Sequence, residues 1–171
     1  YGGYIATKHL IEQGHQKIAF ISEQLREKGV HEQRFQGYCD ALKEADLPLK
    51  EDYLYTCDVS YDSCYKLASE FVQRKRGETA AFVTADIMAM GLINGLTALG
   101  WSIPDDLSVI GFDDVPLATM CLPNITTVRQ DITAKGTTAA EVVIEAVKGI
   151  PKRDTILPLH VVERDSVKPI I

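Results

Sequence analysis

The chain has 171 residues, is 46% hydrophobic, and carries 18 Lys+Arg against 24 Asp+Glu for a formal charge of −6. That length suits one domain with a small appendage, and the apolar share is enough for a real core. The negative balance speaks against a nucleic-acid-binding surface on this stretch, and no run of about 18 apolar residues offers a membrane span.

Tyr1-Gly2-Gly3-Tyr4 leads straight into a helical pattern with no strand before it, which reads as a fold entered part-way. Residues 3–13 predict a helix, apolar at Ile5, Leu10 and Ile11 and stopped by Gly14. His15, beside that stop, reads as a cap or packing group rather than a switch. Residues 17–22 predict a strand and 22–30 a polar loop of mixed charge. A helix over 31–45 shows Phe35, Tyr38, Cys39 and Leu42 on one face. Arg34 sits in its first turn, where the helix dipole disfavours a cation. It is either a solvated surface group or one placed to hold something.

Residues 53–57 predict a strand ending at Asp58-Val59-Ser60, and 61–74 a helix packed through Cys64, Leu67, Ala68, Phe71 and Val72. Lys75, Arg76 and Gly77 close it, their charge suiting a helix C-terminus. A strand over 79–84 follows, then Asp86 as expected cap of a helix over 87–99. Met88, Leu92, Leu96 and Leu99 form one face of that helix; Ile87 and Met90 point elsewhere. A helix apolar on two faces is buried on two faces, so the second face is expected to meet another subunit. Leu117 to Leu122, with Met120 and Cys121, is either core or the partner face of the same interface. Residues 125–128 predict a short strand. Asp131 caps a helix over 132–148 with a stripe of Ala139, Val142, Val143, Ala146 and Val147. The last strand, over 156–164, is expected at an edge because Pro158 cannot donate to a ladder. Alternating strands and helices predict a doubly wound α/β fold with a mainly parallel sheet.

The stretch Leu107-Ser108-Val109-Ile110-Gly111-Phe112-Asp113-Asp114 organises this reading. Its unbroken apolar run predicts a strand buried on both faces, stopping at two carboxylates. Strand C-termini are where open α/β sheets bind ligands, so the pair reads as the floor of a binding site or as an ordinary turn before Val115-Pro116. No GxSxG, P-loop or GxGxxG motif is present. Asp113 is the one carboxylate with a catalytic alternative, and no enzyme is expected. The cysteines Cys39, Cys57, Cys64 and Cys121 form no CxxC pair and the histidines no ligand-like spacing, so reduced structural thiols, no metal and no cofactor are expected. The first residues lack the basic and apolar regions of a secretory leader.

In this order, several short motifs are specific together. They are Gly2-Gly3, His9-Leu10-Ile11, Gly14-His15 into Ile18-Ala19-Phe20-Ile21, Arg34 with Gly37-Tyr38, Ala85 to Gly91, Leu107 to Asp114, Pro123, Ile125-Thr126-Thr127-Val128 and Gln130-Asp131. Along nearly its whole length the chain resembles the effector-binding region of LacI/GalR-family transcriptional regulators. The resemblance implies a two-lobed, periplasmic-binding-protein-like domain with the ligand in the cleft, preceded in the family by a DNA-binding helix-turn-helix and hinge helix. Residues 1–128 would form the C-terminal lobe, 129–150 a crossover and helix of the N-terminal lobe, and 151–171 the return with the final strand.

By the same resemblance Arg34 of the R-x-x-G-[YF] motif would grip effector oxygens and Asp113 would accept hydroxyl hydrogen bonds, while Asp114 serves the turn. Asp58, Val59 and Ala85 match further ligand positions. Val59 stands where an aromatic is common and Ala85 where asparagine is common, so the effector is expected to be smaller or less sugar-like than usual. Implied partners are a small sugar-like effector, a second copy through Ile87, Met90, Leu117, Met120 and Cys121, and operator DNA only through the N-terminal domain. The implied setting is the cytoplasm and the implied role a repressor. A periplasmic-type sugar- or solute-binding protein is the alternative.

Overall fold

The computed structural model describes residues 1–74, 76–151 and 154–170. Lys75, expected to help close a helix, lies outside them, as do 152, 153 and 171 of the expected return segment. Six strands form one sheet: β1 (Ile18–Ser22), β2 (Leu54–Thr56), β3 (Ala80–Val83), β4 (Ser108–Asp113), β5 (Thr126–Gln130) and β6 (Leu159–Val162). Their order is β2-β1-β3-β4-β5-β6, with β6 antiparallel to β5 and every other pair parallel.

The continuous apolar runs of β1, β3 and β4 require cover on both faces, and both faces have it. On one, α1 (Gly2–Glu12) and α2 (Val30–Glu44) bring Ala6, Leu10, Tyr38 and Leu42 against Ile18, Phe20, Phe82, Ile110 and Phe112. On the other, α3 (Tyr61–Arg74) and α4 (Asp86–Ala98) bring Leu67, Phe71, Met88 and Leu92 against Ala19, Ile21, Val83 and Val109. Successive residues of β1 and β3 thus feed opposite cores, as the pleat dictates.

Two features position the site. The chain leaves β1 towards β2 on one side, then crosses back to β3 on the other. This reversal is a topological switch point, where crevices open at the strand C-termini. Second, α1 and α2 approach through glycine. A Cβ on Gly3 would lie 2.0 Å from the Arg34 carbonyl oxygen, and one on Gly37 would lie 2.5 Å from the Tyr4 nitrogen. This contact holds the α2 turn that carries Arg34 down over the sheet.

The structure differs from expectation at several points. Arg129 and Gln130 belong to β5, facing His160 and Leu159 of β6, so the strand expected over 125–128 runs on through them. The strand expected over 156–164 shrinks to β6, which starts immediately after Pro158. Asp86 does not cap α4: the N-cap is Ala85, with no side-chain cap bond. Leu99, expected on the sheet-facing side of α4, is its exposed C-cap. Cys121 turns inward into the α3/α4 core, whereas its neighbours Met120 and Leu122 are exposed and Ile87, Met90 and Leu117 half-buried. The helix α5 (Ile132–Val147), capped by Asp131 through the Ala134 N–H, buries none of its residues.

The C-terminal segment is stitched back along the sheet. The Ser166 hydroxyl donates to the Val109 carbonyl at 2.6 Å and accepts from the Thr126 N–H at 2.8 Å. Beyond it, the Lys168 carbonyl meets the buried His15 ring, and the Ile170 N–H donates to the Gln13 carbonyl. His15 is therefore a packing group, held between this segment and Thr79.

Candidate functional site

Arg34 reaches from near the start of α2 across the switch point. Its Nη1 donates to the Thr84 carbonyl just past β3, at 2.5 Å, and its guanidinium lies 3.8 Å from the centre of the Phe112 ring in β4. Its Nη2 stands 3.5 Å from Asp113 Oδ1 at the end of β4. Stacking on an aromatic face and a fixed fork of donors are what arginine offers and lysine does not. Burial pulls the Arg34 pKa below its ordinary value, with Asp113 and Asp86 opposing that effect.

Asp113 also accepts from Gln130 Nε2 at 2.6 Å. Its backbone sits at φ +112, where an L residue is strained, at a cost of about 1–3 kcal/mol. The surroundings must hold it there. The 3.5 Å contact to Arg34 is long for a charge-assisted hydrogen bond, so both groups keep capacity for a further polar partner.

The two neighbouring carboxylates do different work. The Asp114 side chain is only 4% exposed and takes Arg164 at 2.5 Å and Arg129 in addition. Burial works against its charge, but the hydrogen bonds from Arg164 and Arg129 prevail and hold its pKa below the ordinary carboxylate value. The expected turn residue is instead the centre of an ion-pair cluster tying the loop after β4 to β5 and to the segment after β6. Asp86 braces the same loop from beneath: Oδ2 accepts from the Val115 N–H at 2.9 Å and Oδ1 from the Thr127 hydroxyl at 2.6 Å. A Cβ on Gly111 would fall 2.3 Å from Asp86 Oδ1, so β4 needs glycine there.

Burial pushes the Asp86 pKa up to about 6 from 3.8, against the hydrogen bonds it accepts. Folding therefore takes up a proton between those values, and the associated stability is lost as pH rises from 3.8 through about 6. Carbon-detected NMR of the Asp86 carboxyl should show a midpoint near 6; titration in the ordinary aspartate range would refute this burial argument.

The other expected ligand positions have different surroundings, Ala85 following directly on the Thr84 carbonyl that Arg34 holds. Asp58 accepts from the Ser63 hydroxyl at 3.1 Å and lines a separate cleft of about 530 Å³ with Glu23, Arg26, Cys57 and Lys66. Val59 is exposed beside it. Ala85 is buried, its carbonyl accepting the Ala89 N–H, and presents no polar side chain. Among the described residues, no group of three or more His, Cys, Asp or Glu is placed to hold a metal ion, and no helix is long and apolar enough to cross a membrane.

Residues 7–167 match the family model of the periplasmic binding protein-like domain. The chain belongs to that family. The HTH-type transcriptional repressor PurR of Vibrio vulnificus is 37% identical over 171 residues, 99% of this chain and 51% of the relative. A LacI family transcriptional regulator from Enterococcus faecium, solved with bound ribose, superposes with a TM-score of 0.90 at 30% identity, over 99% of this chain and 63% of that one. A dimeric Lac repressor with a C-terminal deletion superposes with a TM-score of 0.89 at 25% identity, over 99% of this chain and 62% of that one. The chain thus spans about half the length of the curated relatives it matches, and it carries part of the effector-binding domain of LacI/GalR-type regulators. These relatives are regulators rather than enzymes.

Within this periplasmic-binding-protein-like domain, three neighbours of the Arg34–Asp113 pair were not read from the sequence as site residues. Gln130 and Phe112 touch it directly. His31 places Nδ1 3.1 Å from the Thr84 hydroxyl and Nε2 3.8 Å from Glu23. Burial, together with Arg34, lowers the His31 pKa. His31 and Arg34 are three apart on one helix, a spacing that puts side chains together; that was the available signal. Gln130 could have been found from β5 ending beside β4.

Proposed function

We propose that this chain is the effector-sensing and dimerising region of a LacI-type transcriptional repressor acting in the cytoplasm. A small sugar-like molecule docks on the Arg34–Asp113 edge of the sheet, and a second lobe, to which residues 131–150 and α5 belong, closes over it. The observation that carries this reading is Arg34 held on Phe112 and Thr84 with its remaining donors facing Asp113. A fixed donor fork beside a carboxylate acceptor matches vicinal hydroxyls, which donate and accept together. The ribose-bound relative supports the ligand class. Asp58, with Val59 beside it, contributes at the rim, and Ala85 leaves room rather than a contact. Closure would shift operator affinity by a coupling of about 1–3 kcal/mol.

Exposed Met120 and Leu122 beside Ile87, Met90 and Leu117 form the face for a second copy, a reading supported by the dimeric Lac repressor. Cys121 backs that face from within. A full-length regulator that runs as a monomer in light scattering at every practical concentration would refute it.

Thermal-shift measurements on the full-length regulator test the ligand class, using ribose, other pentoses, hexoses, cellobiose and their carboxylated derivatives. At least one is expected to raise Tm by about 5 °C or more at a hundredfold excess over its Kd. A flat response across the panel would sink the sugar-like reading.

A further inference from the structure

We infer that Cys57 and Cys64 form an oxidisable dithiol that a peroxide converts into an intramolecular disulfide. The two Sγ atoms lie 2.7 Å apart, and both cysteines are free. Each is fixed by its own backbone. The Cys57 N–H, just past β2, donates to the Ser22 carbonyl at 3.0 Å, and the Cys64 N–H, in the first turn of α3, donates to the Ser60 carbonyl at 3.4 Å. Bond formation therefore needs little rearrangement of the chain.

The pair is asymmetric in the way such chemistry requires. Cys57 is half-buried and lines the open cleft of about 530 Å³, where Arg26 and Lys66 stand among Glu23, Asp58 and Glu70, so it is access rather than positive charge that the cleft supplies. Cys64 is fully buried in the α3/α4 core. The neighbouring Cys64 thiol holds the Cys57 pKa below its ordinary value, while burial and Asp58 oppose; contact with Cys57 and burial push Cys64 upward. Reactivity follows thiolate character and access, and both favour Cys57. Burial raises the pKa of Cys39 and Cys121, and neither meets another thiol among the described residues.

The oxidant is a hydroperoxide. With hydrogen peroxide, the Cys57 thiol loses its proton and the thiolate attacks one peroxide oxygen; the O–O bond breaks, a sulfenic acid forms, and hydroxide leaves with that proton as water. The Cys64 thiol loses its proton and attacks the Cys57 sulfur; the S–O bond breaks, the S–S bond forms, and hydroxide leaves with that proton as a second water. Two electrons pass from the two sulfurs to the peroxide. The bond pins the loop carrying Asp58 and Val59 to α3. It touches effector binding only through the reading above, and the chemistry stands without it.

Hydrogen peroxide added to the reduced full-length protein tests this, followed by alkylation in denaturant and tryptic mapping. Both cysteines fall in one peptide, Glu51 to Lys66, with no Lys or Arg between. The expected product is that peptide lighter by two hydrogens and unlabelled, with Cys39 and Cys121 labelled and the change reversed by dithiothreitol. In Cys64→Ser, oxidation should stop at a Cys57 sulfenic acid trapped by dimedone. Wild-type protein in which Cys57 and Cys64 stay alkylatable overturns the inference. So does Cys57 oxidised beyond sulfenic acid without a disulfide, or Cys39 oxidised as fast.

Discussion

Asp114→Asn is expected to lower the unfolding free energy by about 3 kcal/mol in urea denaturation, and Asp113→Asn by less than about 1 kcal/mol. The two residues are adjacent and chemically identical, so only their surroundings separate them. The Asp114 side chain is 4% exposed and serves two guanidinium groups, of which Arg164 is itself mostly buried. Removing its charge strands that cation in a partly dry site. Asp113 is more exposed, its contact to Arg34 is long, and asparagine tolerates its backbone angle and can still accept from Gln130. Because the folded-state pKa of Asp114 is depressed, its contribution is fully present above the unfolded value near 3.8 and is lost as pH falls through the folded one. The gap between wild type and Asp114→Asn should therefore close in acid. Equal losses from the two variants would contradict the division of labour.

The second large effect falls on ligand affinity. Arg34→Lys and Arg34→Ala are each expected to weaken binding of the responding sugar about 100-fold or more in isothermal titration calorimetry, close to 3 kcal/mol at that ratio. Lysine keeps the charge but loses the planar fork, the stacking on Phe112 and the simultaneous reach to Thr84 and Asp113. A lysine variant that binds like wild type would mean that only charge matters at this position, and the geometric argument would fall.

The architecture was readable because it rests on local rules. Apolar runs ending at glycine, aspartate and proline gave strands buried on both faces, and the three- and four-residue spacing of Phe35, Tyr38 and Leu42 gave an amphipathic α2. Arg34 stood out because a cation near a helix start is locally unfavourable; its reason is tertiary, three strands away in sequence. Asp86 and Asp114 were misread for the same cause. Each follows a local pattern, a helix start and a turn, yet each is spent on partners brought by strand pairing: Thr127 and Val115 for one, Arg129 and Arg164 for the other. Of the two readings left open for the segment 117–122, core or partner face, Cys121 takes the core. The Cys57–Cys64 contact lay beyond any CxxC search, because a strand end and a helix turn close the distance rather than the spacing.

A crystal structure of the full-length regulator with the sugar that gives the largest thermal shift tests the central claim most directly. The account predicts sugar oxygens within hydrogen-bonding distance of both the Arg34 guanidinium and the Asp113 carboxylate, at the C-terminal edge of β4. A sugar seated elsewhere, such as the cleft beside Asp58 and Lys66 with no contact to either group, would contradict it.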